Sequence, residues 1–200
     1  MAPGNAAESG PLYHLVVDPL LGRVRQLVAA RIGRGASVID VGCGTGQLLL
    51  ELSFFCAKVE GIDTSPEMVR FARWLLRRRP NAHVFPGNAT SLDRYPDKTF
   101  DFATCCLVLH EMEERERVPA LKEMARVAEH LILVDYAAPI PHRFARVLVS
   151  GIERLGGWGN FEKFRSYQHS GGLPALTAAA GLNSREIIPL FHNAVLLVEA

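Results

Sequence analysis

The sequence lacks the features that mark several special classes of protein. Its 200 residues contain no apolar run of the roughly 18 residues that a membrane-spanning helix needs. Residues 1–10 are small and polar, without the basic and apolar segments of a signal peptide, and we expect a disordered tail there. Lysine and arginine (22) nearly balance aspartate and glutamate (21), so the net charge of +1 gives no electrostatic reason to expect nucleic-acid binding.

The chain also lacks the spacing of a cysteine zinc site. Its four cysteines are Cys43, Cys56, Cys105 and Cys106, and no two of them form a C-x₂-C pair. All of them lie in apolar segments, as packed thiols do. We therefore expect no metal site, and a reduced, cytoplasmic protein.

Strand and helix patterns alternate along the chain, which predicts a mostly parallel sheet with helices on both faces. The last two predicted strands are joined by a short turn and are therefore antiparallel to each other. We expect one α/β domain over residues 11–200, in which residues 139–180 form a helical cap inserted before this hairpin. The predicted strands are 37–41, 58–62, 83–85, 100–109, 130–135, 185–190 and 194–198. The predicted helices are 18–30, 47–56, 66–79 and 113–128, with helical patches at 142–155 and 172–180.

A glycine-rich turn follows the first predicted strand. The strand contains Asp40, and glycines follow at alternate positions, Gly42, Gly44 and Gly46. Glycine has no Cβ, so such a turn brings bare backbone close to a ligand. A dinucleotide-binding turn has the pattern G-x-G-x-x-G, which would need a glycine where this chain has Gln47. The tighter G-x-G-x-G spacing beside an acid favours a ligand with a cation and an amino acid over a pyrophosphate.

A second acid, Asp63, ends the second predicted strand about 20 residues after the first glycine of the turn. A carboxylate at this place accepts both ribose hydroxyls of a nucleoside. Nicotinamide-dependent dehydrogenases share this acid, so Asp63 alone leaves an oxidoreductase open as an alternative.

Three further sequence motifs follow the glycine turn, at residues 61–73, 87–92 and 100–112. They read GIDTSPEMVRFAR, GNATSL and FDFATCCLVLHEM. Together with the glycine turn, they make residues 37–112 resemble class I S-adenosylmethionine (SAM)-dependent methyltransferases. The resemblance is strongest to the small-molecule branch that contains the ubiquinone/menaquinone-biosynthesis enzymes.

The resemblance implies a Rossmann-like sheet of seven strands, mostly parallel with the last strand antiparallel. It also implies SAM as methyl donor, S-adenosylhomocysteine (SAH) as product and a small molecule as methyl acceptor. The implied cofactor-binding residues lie in the four segments; Met68 is expected near the adenine and Asn88 on its edge. The full set is Asp40, Gly42, Cys43, Gly44, Thr45, Gly46, Asp63, Thr64, Met68, Asn88, Ala89 and Cys106.

The acceptor side is less marked. His110 follows an apolar strand, at the edge of the sheet where open α/β folds place their active sites, and is our candidate catalytic base. Tyr13, Tyr136 and His169 are candidates for contacts with the substrate. A SAM-binding module without catalytic activity stays open as a third possibility. We expect no nucleic-acid partner and no membrane span, and the sequence leaves the oligomeric state open.

Overall fold

The structure, a computed structural model, describes residues 21–142, 146–147, 149–151 and 158–200. The expected tail at residues 1–10, the candidate Tyr13, and part of the expected cap lie outside the described residues.

Seven strands form one sheet in the order β3-β2-β1-β4-β5-β7-β6. β1 to β5 run parallel, whereas β7 runs antiparallel to both of its neighbours, β5 and β6. The predicted fold class is therefore confirmed. The strands are β1 (Ser37–Val41), β2 (Lys58–Asp63), β3 (Ala82–Pro86), β4 (Phe100–Cys106), β5 (Ala128–Tyr136), β6 (Glu186–Leu190) and β7 (Val195–Glu199).

Helices cover the sheet on both sides. Right-handed crossovers place the helices after β1 and β2 on one face and the helix after β4 on the other. The central strands are buried almost throughout, as strands enclosed by two helical layers must be. The helices are α1 (21–29), α2 (Gln47–Leu52), α3 (Pro66–Leu75), α4 (Glu114–Val127), α5 (Trp158–His169) and α6 (Gly172–Ala179). In the described part of the chain, no helix is long and apolar enough to cross a membrane.

Two elements differ from the sequence prediction. β4 ends at Cys106, three residues earlier than predicted, because Leu107 turns the chain with φ +58° and residues Leu109–Glu111 form a 3-10 turn. The sequence prediction has no helix at α5, because Gly159 and the glycines around it locally disfavour one. α5 and α6 both lie between β5 and β6, in the segment expected to form the cap.

The order of the strands reverses between β1 and β4. The chain leaves β1 toward β2 and β3 on one side, and later continues from β4 toward β5 on the other. Ligands of open α/β sheets bind at such a switch point, outside the carboxyl ends of the strands. The residues that follow β1, β2, β4 and β5 therefore meet in one crevice.

Candidate functional site

The glycine turn after β1 is held in a conformation that favours glycine. Gly42, Gly44 and Gly46 have φ of +75°, +51° and +78°. A Cβ on Gly42 would lie 2.5 Å from Cγ2 of Val108, and a Cβ on Gly46 would lie 2.9 Å from the Cβ of Ala72. A Cβ on Gly44 would meet nothing within 4 Å. Two of the glycines are thus required by packing, whereas Gly44 presents its backbone to open space where a ligand can approach.

Asp63 is fixed against this turn by two backbone groups. Its Oδ2 accepts a hydrogen bond from the Gly44 amide at 2.8 Å, and its Oδ1 accepts one from the Ser65 amide at 2.8 Å. A carboxylate offers about four acceptor positions, so two remain for a ligand such as a ribose diol. Ser65 also caps α3, because its Oγ accepts from the Met68 amide.

Asp40 lies deeper in the sheet and is almost completely buried. Its Oδ1 accepts a hydrogen bond of 2.7 Å from the hydroxyl of Thr104 on the neighbouring strand β4. Burial raises the pKa of Asp40 to about 7, against the lowering effect of Thr104 and with a further rise from the charge of Asp63. A cation close to Asp40 would favour its ionised form.

The segment after β3 forms a small loop. The Oδ1 of Asn88 accepts hydrogen bonds from the amide and the hydroxyl of Thr90, both at 3.0 Å. The side-chain oxygen expected on the adenine therefore holds the loop together. Asn88 is exposed, Ala89 is buried, and Met68 is partly buried on the first turn of α3.

Two cysteines border the crevice. Cys43 belongs to the glycine turn, and Cys106 is the last residue of β4. Burial raises the pKa of both thiols well above the usual range, with an added contribution from Asp40. Both are therefore neutral, unreactive thiols near neutral pH. Among the described residues, no group of three or more His, Cys, Asp or Glu side chains is arranged to hold a metal ion.

His110 forms a buried pair with Asp135 near the end of β5. The Nδ1 of His110 lies 2.7 Å from Oδ1 of Asp135, whose Oδ2 accepts from the His110 amide at 3.2 Å. Oδ1 also accepts from the Tyr136 amide at 2.7 Å. Since a carboxylate only accepts, the proton of a neutral His110 is assigned to Nδ1. Nε2, which is 3.9 Å from Oε1 of Glu111, is then the basic nitrogen.

Aromatic rings surround this pair. Tyr136 lies against the His110 ring with 4.7 Å between the ring centroids, and Phe164 and Tyr167 of α5 lie at 6.2 and 6.3 Å. The hydroxyl of Tyr167 donates to the carbonyl of Tyr136 at 2.9 Å. The candidate Tyr136 is therefore next to the candidate base and in contact with Phe164 of α5.

Arg117 of α4 joins α5 to the turn that carries His110. Its guanidinium donates to the carbonyls of Leu109 and Met112, on either side of His110, at 3.1 and 3.0 Å. It also donates to the Lys163 carbonyl at 2.7 Å and to the Ser166 hydroxyl at 3.2 Å, both on α5. Arg117 is completely buried, and this burial lowers its pKa.

The remaining candidates lie apart from this cluster or at its rim. His169 is exposed at the end of α5, with its Nδ1 2.7 Å from the Arg165 carbonyl of the same helix. Thr45 and Thr64 are exposed beside the glycine turn and at the start of α3. The roles of these residues stay predictions.

Sequence reasoning missed three residues that hold the site together: Thr104, Asp135 and Arg117. Asp135 had a readable signal, since it is another acid near the end of a buried strand. Arg117 had a weaker one, because it occupies a position on the buried side of α4, three residues before Ala120. Thr104 had none, because its pairing with Asp40 depends on the register of β1 and β4.

The chain resembles proteins of known activity. Residues 38–130 match the Methyltransferase domain family. A phosphatidylethanolamine N-methyltransferase from Cereibacter sphaeroides is 34% identical over 143 residues, which are 67% of this chain and 68% of that protein. The chain belongs to the SAM-dependent methyltransferase family. This membership confirms the predicted family and its cofactor, and it decides against the nicotinamide-dependent alternative.

Other members of the family match over shorter segments. A demethylmenaquinone methyltransferase from Bacillus licheniformis is 31% identical over 110 residues, which are 54% of this chain and 46% of that protein. The chain spans less than half the length of this relative. A SAM-dependent methyltransferase structure from Aquifex aeolicus has a TM-score of 0.66 and 24% identity, and the match covers 96% of this chain and 93% of that one. That likeness bears on the fold alone.

The described residues fit the family's cofactor. Gly44 leaves an open approach to the backbone, and Asp63 is held beside it with acceptor positions for ribose hydroxyls. Asp40 is a buried carboxyl whose ionised form would be favoured by a cationic ligand. This combination of an open turn and two acids suits a nucleoside that carries a cationic amino acid.

Proposed function

We propose that the chain transfers a methyl group from SAM to a small-molecule acceptor, with His110 as the base. The observation that carries the proposal is the arrangement at one edge of the sheet. The open glycine turn and Asp63 follow β1 and β2, while the His110–Asp135 pair follows β4 and β5. The candidate cofactor-binding residues of the glycine turn and Asp63, which we call the cradle, thus share one crevice with a candidate proton acceptor.

Orientation is the main task of the cradle. SAM, when bound, supplies a methyl group that its sulfonium already activates. Gly44 and Asp63 would hold the nucleoside end, and Asp40 would attract the cationic amino-acid end. Correct orientation of two reactants lowers a barrier by up to about 7–11 kcal/mol. The aromatic side chains of α5 exclude water from the acceptor side.

His110 takes the proton that the acceptor loses. Nε2 is the basic nitrogen, because Nδ1 donates to Asp135. Asp135 fixes the ring orientation and stabilises the imidazolium that forms, while its backbone donors hold the carboxylate in place. Such general-base assistance contributes about 10²–10⁴-fold in rate.

A small apolar or aromatic acceptor is our proposal for the substrate class. The support is the shell of Tyr136, Phe164 and Tyr167 around His110, together with relatives named for menaquinone and phosphatidylethanolamine methylation. We also propose a cytoplasmic location, since the four cysteines are all free thiols.

The test is transfer of a labelled methyl group from SAM to a panel of phenols, quinols and primary amines. With the acceptor that reacts, His110→Gln should lower kcat by at least about 100-fold and leave SAH affinity unchanged. The matched control is His130→Gln. It removes a histidine near the amino-terminal end of β5, away from the crevice, and should leave kcat unchanged.

Two results would contradict the proposal. SAH binding without methylation of any acceptor would favour a module that binds SAM without catalysis. Full activity of His110→Gln would leave the methyltransferase in place but reject His110 as the base.

A further inference from the structure

A basic-aromatic surface lies on the outer side of α3, on the residues that follow α3 and on the turn that follows α2. Among the described residues, the exposed large hydrophobic side chains are Phe54, Phe71, Trp74, Val147 and Ile187. The three aromatic ones belong to this surface and are 64%, 46% and 57% exposed. We define the surface by Phe54, Arg70, Phe71, Trp74, Arg77, Arg78 and Arg79.

Helical spacing separates this surface from the core. Val69, Ala72 and Leu76 face the sheet and are buried. The opposite side of α3 and of the residues after it is exposed, and it carries Arg70, Phe71, Trp74, Arg77 and Arg78. Packing against the protein's own sheet therefore does not account for the aromatic residues.

The charged residues that define the surface are all arginines. Arg70, Arg77, Arg78 and Arg79 form no ion pair within the part of the chain that the structure describes. Glu67 is the acid of α3, and it is exposed on the first turn, three residues before Arg70. Because the whole chain has a net charge of only +1, this basic cluster is a local concentration of positive charge.

Guanidinium groups lie on the aromatic rings. Arg77 lies 4.6 Å from the ring centroid of Trp74, and Arg79 lies 3.5 Å from that of Phe54. Phe71 and Trp74 are themselves neighbours, at 5.6 Å. A guanidinium stacked on a ring keeps N–H groups at its edge for bidentate binding of phosphate. The surface thus joins phosphate-binding groups with apolar rings.

We propose that this surface docks the protein on a membrane that contains anionic lipids. Arginine beside exposed Trp and Phe combines attraction to lipid phosphates with insertion of rings at the headgroup level. The surface is the convex side of a helix, whereas proteins that bind single-stranded nucleic acid hold the strand in a positively charged groove. A solvated helix end would account for the arginines but not for three exposed aromatic rings.

The test is co-sedimentation of the full chain with vesicles at low and at high salt. We expect binding to mixed phosphatidylcholine–phosphatidylglycerol vesicles and none to phosphatidylcholine alone. Arg77→Glu/Arg78→Glu should weaken binding at least about tenfold, since each basic residue near an anionic surface contributes about a fivefold factor. Phe71→Ser/Trp74→Ser should also weaken it, including at high salt.

Matched controls test whether vesicle binding depends on this surface or on charge and hydrophobicity anywhere on the protein. Lys122→Glu/Arg165→Glu makes the same charge change on exposed positions of α4 and α5, and Ile187→Ser removes an exposed apolar side chain of β6. Both control variants should bind vesicles like the parent chain or nearly so. Arg77→Glu/Arg78→Glu should retain its affinity for SAH, which shows an intact fold and keeps this test independent of the methyl-transfer proposal.

Three results would overturn the inference. The first is no sedimentation with anionic vesicles, and the second is equal loss in the Lys122→Glu/Arg165→Glu control. The third is binding of single-stranded RNA without binding of vesicles, which would assign the surface to nucleic acid instead.

Discussion

Burial shifts the pKa of the Asp40 carboxyl away from its ordinary value. The carboxyl lies inside the sheet with one hydroxyl donor, Thr104, and its pKa is raised from 3.8 to about 7. In the folded protein the group therefore keeps its proton at a pH where the unfolded chain has lost it. As the pH rises from about 4 to about 7, the unfolded state is favoured by this group, and the free energy of unfolding falls.

We predict that Asp40→Asn removes this pH dependence. The asparagine oxygen still accepts from Thr104 but cannot ionise. Between about pH 5 and about pH 8, the parent protein should lose about 2–3 kcal/mol of stability relative to the variant. Urea unfolding at the two pH values measures the difference, and parallel changes in both proteins would show that Asp40 does not titrate in this window.

The acids near strand ends could be predicted from the sequence, but their partners could not. Asp40 and Asp63 follow from the position of each acid in an apolar strand beside a glycine turn. The pairing of His110 with Asp135 depends on the early end of β4 at Cys106, which puts His110 on a turn rather than on the strand. No local pattern shows that Leu107 leaves the strand with a positive φ.

At the scale of elements, α4 carries two arginines, one near each end, and each makes several hydrogen bonds to neighbouring segments. Arg117 holds the His110 turn and α5 through four hydrogen bonds. Arg126 donates to Glu123, Asp97 and the carbonyls of Tyr95 and Leu92. The second arginine thus fixes a loop at the other end of the helix, so the two form a matched pair.

We predict that Arg117→Lys lowers kcat about 10- to 100-fold, whereas Arg126→Lys leaves it within about twofold. A lysine has no planar fork and cannot keep the guanidinium geometry, so α5 and the His110 turn lose the hydrogen bonds that join them. Both variants should lower the melting temperature and leave SAH affinity unchanged. Equal effects of the two variants on kcat would show that Arg117 serves stability alone.

The element order was predictable from the sequence, but the helix α5 was not. Strand and helix periodicities along residues 37–136 indicated the parallel part of the sheet, and the hairpin indicated its antiparallel end. α5 contains Gly159, which locally disfavours a helix. The burial of Phe164 and Tyr167, together with the bonds from Arg117, stabilises α5, and these interactions are not local in sequence.

At the scale of the molecule, the reversal of strand order between β1 and β4 creates the crevice. Asp63 lies on one side of it, held by the Gly44 and Ser65 amides. Asp101 is a comparable acid near the amino-terminal end of β4, away from the crevice. It accepts hydrogen bonds from the amide and the hydroxyl of Ser37 at 2.7 and 2.8 Å. The two acids make similar bonds, but only Asp63 adjoins the glycine turn.

Calorimetric titration with SAH tests the central claim most directly. We predict saturable binding of SAH to the parent chain and at least about tenfold weaker binding to Asp63→Asn, because a charged acceptor of the ribose hydroxyls is lost. Asp101→Asn, which removes a carboxylate charge away from the crevice, should bind SAH like the parent chain. The absence of SAH and SAM binding at millimolar concentration, or unchanged affinity of a folded Asp63→Asn variant, would contradict the account.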